Sequence, residues 1–347
     1  MPFEKMKFSQ KLPITHLTRG GTGKTYASAF AMRELGFRRV LFLVHRGQLA
    51  RQTRKSYEKV FANTVSMGLV GAGYHEYEAD YVFATVQTLN RDEHLLQYAK
   101  DAFDCIVLDE AHHVPADTYR KIMDHFTPKL WLGMTATPDK RDDNVEGRNV
   151  YEIFNYQIAY EIRLQQAMEE NLLCPFHYFG ITDLSMIGDE EAARDFNMLT
   201  SDERVRHIVN QADYYGYSGD KVKGLIFCSN IKETEELSAK FNQIINPATG
   251  KNFRTVALNG SASEQERQDA FERLAMNEDE SSEDRQPLDY IFSVEILNEG
   301  VDIVEVNQVI MLRPTQSPIV FIQQLGRGLR KASGKEYEVI FMLSDKW

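Results

Sequence analysis

A chain of 347 residues with 43% hydrophobic content can bury two ordinary cores, so two domains are expected. No apolar run is long enough to span a bilayer, and Met1-Pro2-Phe3-Glu4-Lys5 opens neither a signal peptide nor an obvious transit peptide, which predicts a cytoplasmic protein without a membrane partner. The net charge of −11 weighs against general affinity for nucleic acid, but it is uneven: residues 1–150 hold 21 Lys/Arg against 18 Asp/Glu, and the remainder 19 against 33. A few local donors suffice to grip a phosphate backbone, so charge leaves such a partner open.

In chain order, short apolar strands alternate with helical stretches, the pattern of parallel α/β layers. Gly20 to Thr25 (GGTGKT) is a Gly-rich turn. In such a turn the backbone N–H groups of Gly21, Thr22 and Gly23 wrap phosphate oxygens, the following helix N-terminus adds positive potential, and Lys24 reaches the β/γ-phosphates. Thr25 offers its hydroxyl to Mg²⁺. Strands are expected at 40–44, 81–85, 103–108 and 130–134, with an amphipathic helix from Gln48 to Phe61. The strand at 103–108 ends in Asp109-Glu110, which places an acidic pair where the metal of a bound triphosphate needs a carboxylate. A solvated strand-end pair is the competing reading, made improbable by the phosphate loop upstream.

After about residue 157 the pattern restarts, and domains are expected at 1–157 and 158–347. A helix is expected over 164–171, an extended segment over 174–180, and strands at 224–228, 255–258, 290–294, 308–312 and 338–343. The acidic, Ser-rich stretch 277–287 (NEDESSEDRQP) lacks apolar anchors and reads as a solvated loop without fixed structure. Cys105, Cys174 and Cys228 are few and widely spaced. They read as reduced thiols with no metal spacing. Near the end, Arg327 and Arg330 stand three residues apart, on one helical face. Behind a phosphate loop, that arrangement suits arginines reaching a γ-phosphate across a cleft, with two surface arginines on a basic helix as the alternative.

The ordered set resembles superfamily 2 nucleic-acid helicases and translocases, specifically the DEAD/DEAH-box group similar to type III restriction subunits. The matching phrases are GGTGKT at 20–25, LFLVHRGQLARQ at 41–52, FATVQTL at 83–89, LDEAHH at 108–113, GMTATP at 133–138, GLIFCSN at 224–230, EILNEGVDI at 295–303 and QQLGRGLR at 323–330. The resemblance covers nearly the full chain and implies two tandem RecA-like domains, each a parallel sheet flanked by helices (α/β, P-loop NTPase), hydrolysing ATP with Mg²⁺. Segments 172–180 and 312–315 resemble a narrower subgroup whose longer members carry a phospholipase-D-type nuclease, absent here.

The resemblance implies roles position by position. Asp109 holds Mg²⁺ and Glu110 is the general base for the attacking water. His112 and Gln323 signal between the cleft faces; Arg327 and Arg330 meet the γ-phosphate. Thr135 and Thr137 couple ATP state to the track, unless they only cap the turn before Pro138. Gly300 and Asp302 touch the ribose and the metal side of the nucleotide, or Gly300 is a turn glycine. His45, Arg46, Thr85, Gln87, Thr88, Ser229 and Asn230 contact the sugar–phosphate backbone, each about as readily explained as a capping residue. His113 acquires no role and reads as structural. Two departures stand out: Thr18 replaces the usual Gly or Ala of the phosphate loop, and only 17 residues precede it, with no adenine-reading helix, so the first domain is expected to be N-terminally abbreviated.

The expected function is an ATP-dependent motor on nucleic acid, DNA before RNA, within a restriction or phage-defence system. A non-hydrolysing binding module, or a subunit active only with a nuclease partner, are the alternatives.

Overall fold

The computed structural model describes residues 14–18, 23–62, 64–71, 73–114, 117–135, 150–162, 164–183, 196–294, 305–312, 329 and 331–344. The chain divides into two compact units, Met1–Ala167 and Met168–Trp347.

The first unit is an eight-stranded sheet. Its strands are β1 (Ile14–Thr18), β2 (Val40–Val44), β3 (Met67–Gly71), β4 (Tyr74–His75), β5 (Tyr81–Thr85), β6 (Cys105–Asp109), β7 (Leu130–Thr135) and β8 (Ile158–Ile162), in the order β4-β3-β5-β2-β6-β7-β1-β8. All pairings are parallel except β3–β4. Strand alternation splits the core in two. Val40, Phe42 and Val44 pack with Phe83, Cys105 and Val107 under helices α1 (Lys24–Leu35) and α2 (Gly47–Phe61). Leu41 and Leu43 pack on the opposite face with Val82, Ile106 and Leu108 against Tyr119, Ile122 and Phe154. Strands covered on both faces have no polar side to show, which is why they read as continuous apolar runs. A buried contact between Ser28 Oγ and Tyr57 OH, 2.8 Å, ties α1 to α2. Gly133, in β7, is a packing requirement: a Cβ there would come within 2.5 Å of the Phe154 ring.

The expected boundary at 157/158 is corrected. β8 pairs with β1 (His16 opposite Tyr160, Leu17 opposite Glu161), so residues 158–162 close the first sheet instead of opening the second unit.

The second unit is a six-stranded parallel sheet: β9 (Phe176–Thr182), β10 (Gly224–Phe227), β11 (Thr255–Leu258), β12 (Tyr290–Ser293), β13 (Gln308–Met311) and β14 (Glu338–Ser344), in the order β11-β12-β10-β13-β14-β9. The expected strands at 40–44, 81–85 and 255–258 occur with those bounds, and the expected helix over 164–171 spans Leu164–Glu169.

The acidic stretch 277–287 is exposed for the most part, yet it has structure. Asn277 and Glu280 form a reciprocal cap on a single 3₁₀ turn, Glu278–Glu280. Lys223 Nζ donates to Asn277 Oδ1 at 2.9 Å, Arg254 pairs with Glu278, and Arg285 pairs with Glu272 at 2.6 Å. Lys223 and Arg254, basic residues outside the stretch, and Glu272 replace the apolar anchors that it lacks. Cys105, Cys174 and Cys228 are buried and form no disulfide among the described residues, and no described helix is long and apolar enough to cross a membrane.

Candidate nucleotide and nucleic-acid site

In a parallel sheet all strands point the same way, so residues that end different strands collect along one edge. That edge of the first unit carries the phosphate-loop helix after β1, His45 and Arg46 after β2, Thr85 at the end of β5, Asp109-Glu110 at the end of β6, and Thr135 at the end of β7.

Gly23 takes the left-handed conformation (φ 78°, ψ 28°) immediately before α1 and has no side chain with which to cap the helix. Its first N–H groups are therefore available to an anion, supported by the helix dipole. Lys24, with its side chain 13% exposed, holds Nζ 3.7 Å from Glu110 Oε1. Glu110 itself is left-handed (φ 49°, ψ 51°) without being glycine, a strain of about 1–3 kcal/mol of the sort found at functional sites. This conformation turns the chain out of β6 into the one-turn 3₁₀ helix Ala111–His113. The Glu110 N–H donates to Asp109 Oδ1 at 3.0 Å. Burial pushes the Asp109 carboxyl well above the usual range; the Lys24 ammonium opposes the shift and the Glu110 carboxylate adds to it.

His112 is buried, with Nδ1 3.3 Å from Glu110 Oε2 and 3.0 Å from Thr135 Oγ1. The acidic pair, the phosphate-loop lysine and the end of β7 are thus joined by short polar contacts among Lys24, Glu110, His112 and Thr135. Among the described residues the Asp109 and Glu110 carboxylates, both partly exposed, lie near the Lys24 ammonium, an arrangement that suits a further cation carried in with a polyphosphate. Thr25, in the first turn of α1, offers the neutral oxygen that Mg²⁺ takes readily.

The strand-end row on the same edge divides. Gln87 Nε2 lies 3.1 Å from His45 Nδ1, so these two polar groups stand together. Thr85 is engaged locally: its hydroxyl receives the Thr88 N–H at 3.2 Å and donates to Thr88 Oγ1 at 2.9 Å, capping the short helix Val86–Leu89. In the second unit, Asn230 Oδ1 accepts the Glu233 N–H at 2.9 Å as the N-cap of helix Ile231–Phe241, and Ser229 N–H donates to Glu233 Oε2 at 2.7 Å. Gly21, Thr22, Thr137, Gly300, Asp302, Gln323, Arg327 and Arg330 lie outside the described residues.

Two features escape motif reading. His113 stacks on His45 with ring centroids 5.2 Å apart and planes 22° apart, and lies 4.2 Å from the His112 ring. The doubled histidine was the only signal. In the second unit Arg204, 1% exposed, holds Asp183 through Nε and Nη2 (3.0 and 2.8 Å), Glu233 Oε1 at 2.8 Å and the Leu199 carbonyl at 2.6 Å. Asp183 and Glu233 overcome the cost of burying the guanidinium and hold its pKa above the ordinary value. Its signal was an arginine on an apolar stripe beside Val205, Ile208, Val209 and Ala212.

Comparison with known proteins finds similarity to restriction-enzyme and helicase subunits. Residues 7–140 match the family "Type III restriction enzyme, res subunit", and residues 204–332 match "Helicase conserved C-terminal domain". The chain is 25% identical over 350 residues to the type I restriction enzyme EcoAI endonuclease subunit of Escherichia coli, covering 89% of this chain and 40% of that one. It spans about two fifths of the length of such curated relatives (42% and 40%). Among solved structures, the ATP-dependent type ISP restriction-modification enzyme LlaBIII bound to DNA superposes with a TM-score of 0.69 at 20% identity, over 98% of this chain and 26% of that one. Dbp5 of S. cerevisiae, bound to RNA and ADP BeF3, does so at 0.64 and 17% identity, over 97% and 80%. The two units are RecA-like α/β domains.

Proposed function

We propose that this superfamily 2 helicase core, close to type I and type III restriction subunits, hydrolyses ATP as a DEAH-box motor and moves along nucleic acid by its backbone, DNA before RNA. The observation that carries the reading is the contact chain Lys24–Glu110–His112–Thr135, which joins the phosphate-loop lysine, the acidic pair and β7. The Gly23–Lys24 helix start binds the triphosphate, and Lys24 lies along its terminal phosphates. Thr25 and Asp109 would hold Mg²⁺, which would supply charge neutralisation on the phosphate oxygens. Glu110 accepts the proton of the attacking water, and His112 fixes the carboxylate by its contact at 3.3 Å.

From the second domain, Gln323, Arg327 and Arg330 are proposed to meet the γ-phosphate side, and Gly300 and Asp302 the ribose and metal side. Thr135 and Thr137 couple nucleotide state to the track. His45, Arg46 and Gln87 are proposed backbone contacts, joined by Thr88 and, more weakly because of their capping duties, by Thr85, Ser229 and Asn230. The domains are proposed at 1–167 and 168–347. Likeness to the EcoAI endonuclease subunit supports a place in a restriction or defence assembly with a nuclease partner, and the segments at 172–180 and 312–315 support the nuclease-linked subgroup.

Phosphate release by the purified chain, with and without Mg²⁺ and an oligothymidylate strand, tests this. Turnover is expected to need Mg²⁺ and to rise with the strand. Glu110→Gln is expected to bind ATP and lose about 10²-fold or more in turnover, and Lys24→Ala to weaken nucleotide binding itself. Undiminished turnover in Glu110→Gln would remove Glu110 as the base. Nucleic-acid binding without any turnover would favour the non-hydrolysing module.

A further inference from the structure

His113 belongs to no part of the machinery assigned above, yet it sits between two parts that are. On one side its ring stacks on His45, and His45 is in turn within 3.1 Å of the Gln87 carboxamide at the proposed nucleic-acid edge. On the other side it neighbours His112, which contacts both Glu110 and Thr135. We propose that His113 is a positioning residue through which occupancy of the His45–Gln87 edge by a nucleic-acid backbone sets the orientation of the Glu110 carboxylate, so that strand binding raises the rate of ATP hydrolysis. The proposal rests on the function assigned above and adds the route within the first domain.

The linkage is short. His113 N–H donates to the Glu110 carbonyl at 2.9 Å, closing the 3₁₀ turn that Glu110 opens from the left-handed region. Three residues in one turn cannot rotate independently, so a displacement of the His113 ring is passed to the backbone of Glu110. Because Glu110 occupies a conformation disfavoured for a non-glycine residue, its setting depends on what packs against that turn. The His113 ring is such a neighbour, and its outer face abuts His45 at the end of β2. A phosphate drawn to His45 and Gln87 shifts the His45 plane, and the stack carries the shift inward. A ligand moves such an equilibrium only as far as it prefers one arrangement of the turn, so the effect is a modest coupling between two sites rather than a switch.

The test compares wild type, His113→Ala and His113→Phe in strand-free and oligothymidylate-stimulated ATP hydrolysis, with oligothymidylate affinity and thermal unfolding measured alongside. His113→Ala is expected to keep its strand-free rate and strand affinity within about twofold and to lose about five- to tenfold of the stimulation. His113→Phe, which retains a stacking ring, is expected to recover at least half of it. Equal stimulation in all three proteins overturns the inference and leaves the assigned function standing. So does a loss in His113→Ala that lowers free and stimulated rates by one factor, or a His113→Phe variant as defective as His113→Ala. A wild type that hydrolyses ATP without any stimulation overturns both the inference and the motor assignment.

Discussion

Glu338 opens β14 from the interior, fully buried, and neither carboxyl oxygen has a hydrogen-bond partner among the described residues. Burial pushes its pKa from the ordinary 4.5 up to about 8, with Lys335 only partly opposing. The sign follows from proton binding. Between pH 4.5 and 8 the folded chain keeps this proton while the unfolded chain releases it, so stability falls as pH rises through that window, by roughly 1.4 kcal/mol per pH unit at most. Below 4.5 both states are protonated and the penalty vanishes; above 8 it is constant. Glu338→Gln is expected to flatten this part of the pH–stability curve and to unfold at higher temperature than wild type at pH 8. Thermal melts of both proteins from pH 5 to pH 8 check it; parallel curves would mean that Glu338 ionises with a local partner.

At the scale of elements, the second domain adds a buried ionic joint to its apolar core. Arg204, in the helix Asp202–Tyr215, binds Asp183 just beyond β9 and Glu233 in the first turn of helix Ile231–Phe241, and its Nη2 reaches the Leu312 carbonyl at 3.3 Å past the end of β13. Glu233 in turn holds the Ser229 amide. One guanidinium thus fixes four segments near the strand ends proposed to meet the track. Removing it leaves two buried carboxylates facing each other, so Arg204→Ala is expected to lose about 3–5 kcal/mol by urea unfolding. Arg204→Lys is expected to be only partly tolerated, because a point charge cannot reproduce the planar fork. An Arg204→Ala loss below about 1 kcal/mol would show that water replaces the guanidinium without cost.

At the scale of the whole molecule, charge predicts how the motor meets its strand. With a net charge of −11, little general attraction is added to a short row of local donors. Affinity for single strands is expected to be modest, nearly independent of sequence, and to fall linearly in log–log form with salt, with a slope of about −0.7 per phosphate neutralised. Arg46→Ala is expected to weaken all sequences alike and to reduce that slope by about 0.7 to 1. Binding of labelled strands of different sequence across a salt series measures both; strong preference for one sequence would place the track elsewhere.

Local order in the sequence determined most of the described elements and the part of the motif edge that lies in them. Strands β2, β5 and β6, buried on both faces, announce themselves as apolar runs, and parallel pairing then brings Lys24, Asp109, Glu110 and Thr135 to one edge. The sequence misjudged what depends on partners far along the chain. β8 reads as the start of a new domain because nothing within 158–162 names β1 as its neighbour, 140 or so residues earlier. The acidic stretch reads as unanchored because Lys223 and Arg254 lie outside it. The Arg204 joint and the His45–His113 stack are likewise decided in three dimensions, since ion pairs and ring contacts depend on distance in space and leave no periodic trace along the chain.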